Sequence, residues 1–119
     1  MTTTLKSKPL SERLQMSSKI IANNPDRVPV IVSKLSFLNP KSDLTKTKFI
    51  CPRSLTIGQM IFIIRRFLVN LKSSAALFLT VSETKVIPTT GDKIGDVYDK
   101  HKEKDGFLYF VIYTENVFG

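Results

Sequence analysis

The chain reads as an α+β protein in which a sheet packs against one helix. Three observations predict this class. Residues 27–35, RVPVIVSKL, and 46–52, KTKFICP, are two β-type runs in succession. A capped, one-sided apolar helix follows them. Near the end, 107–113, FLYFVIY, is a continuous apolar run of the kind buried on both faces.

The elements are justified in order. Residues 10–23 have a helical pattern, with Leu10, Leu14, Ser17 or Ser18, and Ile21 on one side and Met16 and Ile20 beside them. Asn23-Asn24-Pro25 ends that helix, because proline restricts the residue before it and cannot continue the ladder. Pro29 within the first strand lacks an N–H and predicts an edge or bulge there. Residues 36–45, with Asn39, Pro40, Ser42 and Asp43, read as a loop. Thr56 and Gln59 form a capping-box pattern, and Ile57, Met60, Ile61, Ile64 and Leu68 then recur at helical spacing. Arg65 and Arg66 complement the helix dipole. ALFLTV at 76–81 reads as a buried strand, 85–88 as a short one, and Asp92 as the cap of a helix carrying Ile94, Val97, Tyr98 and His101. Asp105-Gly106 is a turn signal before the last strand. That strand is expected at the centre of the sheet, parallel to the first.

Length and composition set bounds on function. The 119 residues suit one domain, and 42% apolar with 24% charged residues is ordinary globular composition. No apolar run reaches the ~18 residues of a membrane span, and Met1 to Lys8 has no apolar signal core, so a cytoplasmic protein is expected. One cysteine, Cys51, and one histidine, His101, allow neither an internal disulfide nor a Cys/His zinc cage. No cofactor or metal is expected. A Cys51–His101 nucleophile pair lacks an orienting group and an oxyanion site in the pattern, so the chain is not expected to be an enzyme. The net charge is +8, and Met1 to Lys48 holds nine Lys or Arg against three acids. Such an excess suits anionic membrane, acidic peptide or nucleic acid. No nucleic-acid motif and no interleaving of exposed aromatics with lysines supports the last.

Five segments in register carry a resemblance. Asn24 to Val32 (NPDRVPVIV), Lys46 to Pro52 (KTKFICP), Leu55 to Gln59 (LTIGQ) with Ile64-Arg65-Arg66, His101 to Tyr109 (HKEKDGFLY) and Glu115 to Gly119 (ENVFG) resemble the autophagy ubiquitin-like modifiers. That family is autophagy-related protein 8, with its GABARAP and light-chain-3 relatives. The likeness runs from about Ser11 to Gly119. It implies a ubiquitin-like β-grasp over residues 10–119 with an N-terminal helix or helices, residues 1–9 being an N-terminal segment, expected to be mobile.

The resemblance also implies a function. Gly119 would be the residue activated by an ATP-using enzyme, passed to a conjugating enzyme as a thioester, and joined to phosphatidylethanolamine. Glycine suits this role, since no Cβ crowds attack at its carbonyl. Family precursors often carry residues past the glycine that a cysteine protease removes, and the same class of protease removes the lipid. The lipidated form would sit on autophagosomal membranes and recruit cargo receptors through aromatic-x-x-aliphatic motifs. By motif match, the aromatic pocket would comprise Ile20, Pro29, Lys48, Ile50 and Phe107. The aliphatic pocket would comprise Phe49, Cys51, Pro52, Met60, Ile63 and Ile64. Arg27 and Lys46, with Lys48, would meet acidic residues flanking the ligand. Two positions depart from the family pattern: Met16, where relatives commonly carry a carboxylate, and Phe67, where many carry a third basic residue. Two other roles stay open on the sequence: a β-grasp adaptor, or a modifier joined to protein lysines in membrane trafficking. A small nucleic-acid-binding domain rests on charge alone.

Overall fold

The computed structural model describes residues 4–35, 43–71 and 75–114. Its elements are a 3-10 turn at Thr4–Ser7, α1 (Leu10–Asn23), β1 (Arg27–Lys34), β2 (Asp43–Leu44), β3 (Lys48–Pro52), α2 (Ile57–Arg65), β4 (Leu68–Val69), β5 (Leu77–Val81), α3 (Ile94–His101) and β6 (Leu108–Thr114). A four-stranded sheet has the order β3-β1-β6-β5, with β6 parallel to β1 and the other two pairs antiparallel. The apolar final strand is therefore central and parallel to the first, as its continuous burial pattern predicts.

The two faces of the sheet are covered differently. On one, Val28, Val30, Val32, Leu108, Phe110 and Ile112 pack with Ile57, Met60 and Ile64 of α2 and with Ile94, Val97 and Tyr98 of α3. On the other, Ile31, Phe107 and Tyr109 form a smaller cluster with Leu5, and Met16 and Ile20 of α1 rest against it. Alternation along β1 explains the division, since successive side chains point to opposite faces. Leu5 comes from the N-terminal segment, where the sequence pattern carries no element; its burial gives the 3-10 turn an anchor.

A polar network holds α1 in place. Asp105, almost fully buried, accepts hydrogen bonds from Arg13 Nη1 at 2.7 Å, Tyr109 Oη at 2.5 Å and the Phe107 N–H at 3.0 Å. Ser17 Oγ donates to the Asp105 carbonyl at 2.6 Å. Burial pushes the Asp105 carboxyl up, but these three donors and the Arg13 charge outweigh it and hold it below its ordinary value. Burial first, and then the Asp105 hydrogen bond, push the Tyr109 phenol well above its usual value. Lys6 adds an ion pair with Glu103 and lies over the Tyr109 ring, 4.2 Å from its centre. Gly106 has φ +82°, and a Cβ there would collide with Ser17 Oγ, so the turn requires glycine.

The structure corrects five expectations. Leu10, Leu14 and Ile21 are exposed, at 43%, 40% and 37%; of the expected face only Ser17 is buried, and α1 packs through it with Arg13 and the flanking Met16 and Ile20. The apolar residues of that helix outnumber the places the sheet offers, and hydrogen bonds select the packed face. Pro29 lies in an interior strand, neither edge nor bulge. The Asp26–Arg53 and Val32–Thr47 bonds put the β1–β3 ladder on the even residues of β1, so Pro29 faces β3 at a non-bonded position. The β6 ladder begins only at Val30, so the missing N–H removes no rung. Residues 85–88 form no strand: Lys85 is left-handed, with φ 58°, and the Val81 N–H donates to the Val86 carbonyl across a turn. Asp92 does not cap α3; its Oδ2 accepts from the Thr89 N–H, while Lys93 holds the cap position without a side-chain bond. Finally, the loop read over 36–45 includes β2, which pairs with β4, two strands too short to leave a period. The capping box of α2 is present as expected, with Gln59 N–H donating to Thr56 Oγ1 and Thr56 N–H to Gln59 Oε1.

Candidate functional site: a two-faced edge strand

Among the described residues β3 has one strand neighbour, β1, and is the edge of its sheet. The ladder places Thr47, Phe49 and Cys51 in bonding positions toward β1. The N–H and C=O groups of Lys48 and Ile50 therefore point to the open side. The Ile50 carbonyl accepts a bond from Arg27 Nη1 at 3.3 Å. Side chains alternate as well: Phe49 and Cys51 are buried, whereas Lys48 and Ile50 are exposed. The edge thus offers backbone partners together with two different side-chain faces.

On the α2 face, a groove of about 350 Å³ lies between β3 and α2. Phe49, Cys51, Pro52, Met60 and Ile63 line it together with Arg27 and Lys46, and Ile50, expected in the aromatic pocket, lines it as well. Of the residues expected in an aliphatic pocket, only Ile64 is absent from this lining; it is fully buried in the core. Three lining residues were not foreseen: Leu55, Arg66 and Phe67. Leu55 precedes the Thr56 cap and Met60 falls at the fourth helical position, the pair of sites that form a hydrophobic staple. That spacing is the signal in the sequence that points to Leu55. Phe67 is placed by the small sheet: its carbonyl accepts from both the N–H and the hydroxyl of Thr45, at 2.8 and 3.0 Å. Its ring meets Phe49 edge-on at 5.5 Å, and the Lys46 ammonium lies over both rings, 5.0 and 5.2 Å from their centres. At the position where a family pattern has a third base, this chain has an aromatic wall.

Cys51 is a packing residue in this groove. Its Sγ lies 3.5 Å from Met60 Sδ, and burial, against the opposing pull of Lys46 and Arg27, pushes its thiol up to about 11. Such a thiol is neutral and a poor nucleophile near pH 7, and no histidine lines the groove.

On the α1 face, Pro29 pairs with Ile50 and Ile31 with Lys48 across β1 and β3, so these side chains share a face. Ile20 of α1 and Phe107 belong to the cluster on that same face. The structure therefore brings Ile20, Pro29, Lys48, Ile50 and Phe107 to one side of the edge strand, with Pro29 and Phe107 buried, Ile20 half-buried, and Lys48 and Ile50 exposed. Met16 rests on the same cluster as Ile20. Gly119 lies outside the described residues.

Comparison with known proteins agrees with this architecture. The family model described as "Autophagy protein Atg8 ubiquitin like" matches residues 12–119. Autophagy-related protein 8a of Arabidopsis thaliana is 38% identical over 113 residues, covering 95% of this chain and 89% of that protein. Autophagy-related protein 8h of the same plant is 41% identical over 108 residues, covering 91% and 87%. Autophagy-related protein 8 of Dictyostelium discoideum is 35% identical over 114 residues, covering 93% and 88%. Among solved structures, Trypanosoma brucei ATG8 superposes with a TM-score of 0.84 at 30% identity, with both chains fully covered. The chain, a ubiquitin-like α+β domain with an added N-terminal helix, belongs to the Atg8 family of autophagy proteins.

Proposed function

We propose that this protein is a lipid-conjugated modifier that recruits receptors to autophagosomal membranes through aromatic-x-x-aliphatic peptides. The observation that carries the recruiting role is the geometry of β3. A peptide added along an open edge gains backbone hydrogen bonds from the strand and selectivity from its side chains. Residues three apart in an extended peptide point to opposite faces. Ile20, Pro29, Lys48 and Phe107 lie on one face of this edge and the groove around Phe49, Cys51 and Ile63 on the other, with Ile50 bordering both. One peptide strand therefore presents its aromatic residue to one face and its aliphatic residue to the other. Arg27, Lys46 and Lys48 supply positive charge for acidic flanks.

Family membership and the Glu115 to Gly119 segment support the attachment. No helix among the described residues is long and apolar enough to cross a membrane. Conjugation of Gly119 to phosphatidylethanolamine would supply two acyl chains, and two chains anchor firmly where one binds marginally. The chain itself acts as the carried acyl group; the activating and conjugating enzymes perform the chemistry, and a cysteine protease reverses it.

Reconstitution with the family's activating and conjugating enzymes, ATP and phosphatidylethanolamine vesicles tests the attachment. The expected product is the protein plus lipid minus water by intact mass, absent for Gly119→Ala; lipidated Gly119→Ala would overturn it. Titration of a Trp-x-x-Leu peptide tests recruitment. Lys48→Ala with Ile50→Ala is expected to weaken it at least about tenfold, and unchanged affinity would remove that edge from the site.

A further inference from the structure

A second groove, sharing no lining residue with the one beside β3, carries the other sign of charge. Residues 86–89, which form no strand, run beside α3 and enclose with it about 520 Å³. Val86, Ile87, Pro88 and Val97 make up its apolar lining. Ile87, 63% exposed, is the most open large apolar residue among those described, and Val86 beside it is 42% exposed. The loop that presents them is pinned at both ends. The Val86 carbonyl accepts from the Val81 N–H at 2.8 Å and the Thr80 hydroxyl at 3.0 Å. The Thr89 N–H donates to Asp92 Oδ2 at 2.9 Å. Two branched aliphatic side chains are thus held open to water by a fixed backbone, in a concave setting suited to burial against another molecule.

Charge decides the occupant. Asp92, Asp96 and Asp99 line the groove against one lysine, Lys100, with His101 as the remaining ionisable group. Asp99 is paired with Arg53 at 2.5 Å and Asp92 holds the Thr89 N–H, whereas Asp96 has no partner among the described residues. The groove beside β3 is the reverse, lined by Arg27, Lys46 and Arg66 and by no carboxylate. On a chain of net charge +8, a carboxylate-lined apolar groove does not follow from the general charge. We infer that this groove docks a basic segment of a partner protein, whose apolar side chains cover Val86 and Ile87 while its Lys or Arg meets Asp96 and the neighbouring carboxylates. An anionic membrane or an acidic peptide meets like charge there. The site does not depend on the edge-strand reading, and one domain holds an acidic-flanked peptide at β3 and a basic segment at α3 together.

Titration of the isotope-labelled full chain with the synthetic peptide Lys-Arg-Leu-Ser-Leu-Arg-Lys, followed through its amide resonances, tests the site. Shifts are expected at 86–89 and 96–101. Serine in place of the peptide's leucines should weaken binding about tenfold, and Ile87→Ser in the protein should do the same. Asp96→Lys should weaken it a few-fold, and by less at high salt. Both residues are exposed, so neither change removes a packed side chain, and unchanged denaturant midpoints check this. A peptide with Glu in place of every Lys and Arg should leave these resonances unmoved. A saturating Trp-x-x-Leu peptide should not alter the basic peptide's affinity. Absence of shifts at these residues, equal binding of the Glu analogue, or full affinity after Ile87→Ser would overturn the site. Displacement by Trp-x-x-Leu would put the basic peptide at β3 and overturn it as well. Concentration-dependent shifts of the same resonances in the protein alone would assign the groove to a second copy and overturn the basic partner.

Discussion

Two of the helices that cover this sheet, α1 and α2, are attached by different physics. On one face α2 sets Ile57, Met60 and Ile64, each all but fully buried, against the valines of β1 and the apolar residues of β6. On the other face α1 rests on a small cluster and is fixed by Arg13, Ser17, Asp105 and Tyr109, while Leu10, Leu14 and Ile21 face outward. The α2 face is held by non-directional burial spread over many contacts. The α1 face depends on a few directional bonds converging on one residue, Asp105, through its carboxylate and its backbone carbonyl. The edge strand β3 borders both, so the two halves of the proposed peptide site stand on supports of unequal robustness.

That contrast is sharpest under mutation. Ile64→Ala removes a fully buried side chain from the main core and is expected to cost about 4 kcal/mol, read as a fall in the denaturant midpoint of the whole domain. A loss below about 1 kcal/mol would mean that the α2 face does not dominate stability. Asp105→Asn should cost about 3 kcal/mol, because it leaves Arg13 facing a neutral group in a partly buried site. The loss should appear first as faster amide exchange in α1, with the α2 amides protected until global unfolding. The sign of the pH effect follows from the depressed Asp105 value. The stability it contributes is complete above the ordinary carboxylate pKa of about 4 and is lost as pH falls through its lower folded-state value. Acid should therefore loosen α1 before α2 in the wild-type chain, and Asp105→Asn should flatten that dependence.

The same division decides what the sequence could reveal. The spacing of Ile57, Met60 and Ile64 in α2 maps onto burial, so its packed face and its Thr56–Gln59 cap are legible, although Ile61 is only half-buried and Leu68, read at the same spacing, lies in β4. The continuous run 107–113 likewise announces a central strand. The packed face of α1 is only partly legible by periodicity: the pattern puts Ser17 or Ser18 on the apolar side with Met16 and Ile20 beside it, but it assigns to solvent Arg13, whose bond to Asp105 anchors the helix. Asp105 sits in a turn signal, and only the fold brings it 92 residues from Arg13 in sequence to 2.7 Å in space. At the candidate site, the alternation of β3 separates Phe49 from Ile50 in advance. The groove's dependence on Phe67 is hidden, because β2 and β4 are two residues each and the bond from Thr45 beside them pins the Phe67 carbonyl. Pro29 shows the opposite limit: its local rule is sound, but register decides whether a missing N–H is missed.

The smallest effect tests the comparison most directly. Leu14 falls on the helical face that apolar spacing assigns to the core, yet it is 40% exposed, and the packed positions of α1 are Arg13, Met16, Ser17 and Ile20. Leu14→Gln keeps the helix propensity nearly constant and removes only a surface apolar side chain. If hydrogen bonds choose the packed face, the thermal and denaturant midpoints should move by no more than about 0.5 kcal/mol, as for other surface substitutions. If α1 docked through its apolar stripe, the same change would bury an unpaired amide and cost 2 kcal/mol or more. Combining Leu14→Gln with Asp105→Asn separates the cases further. Additive losses would mark Leu14 as independent of the anchor. A loss well above the sum would show that the outer leucines hold α1 once the carboxylate is gone, and the α1 face would then be less dependent on its polar bonds than its geometry indicates.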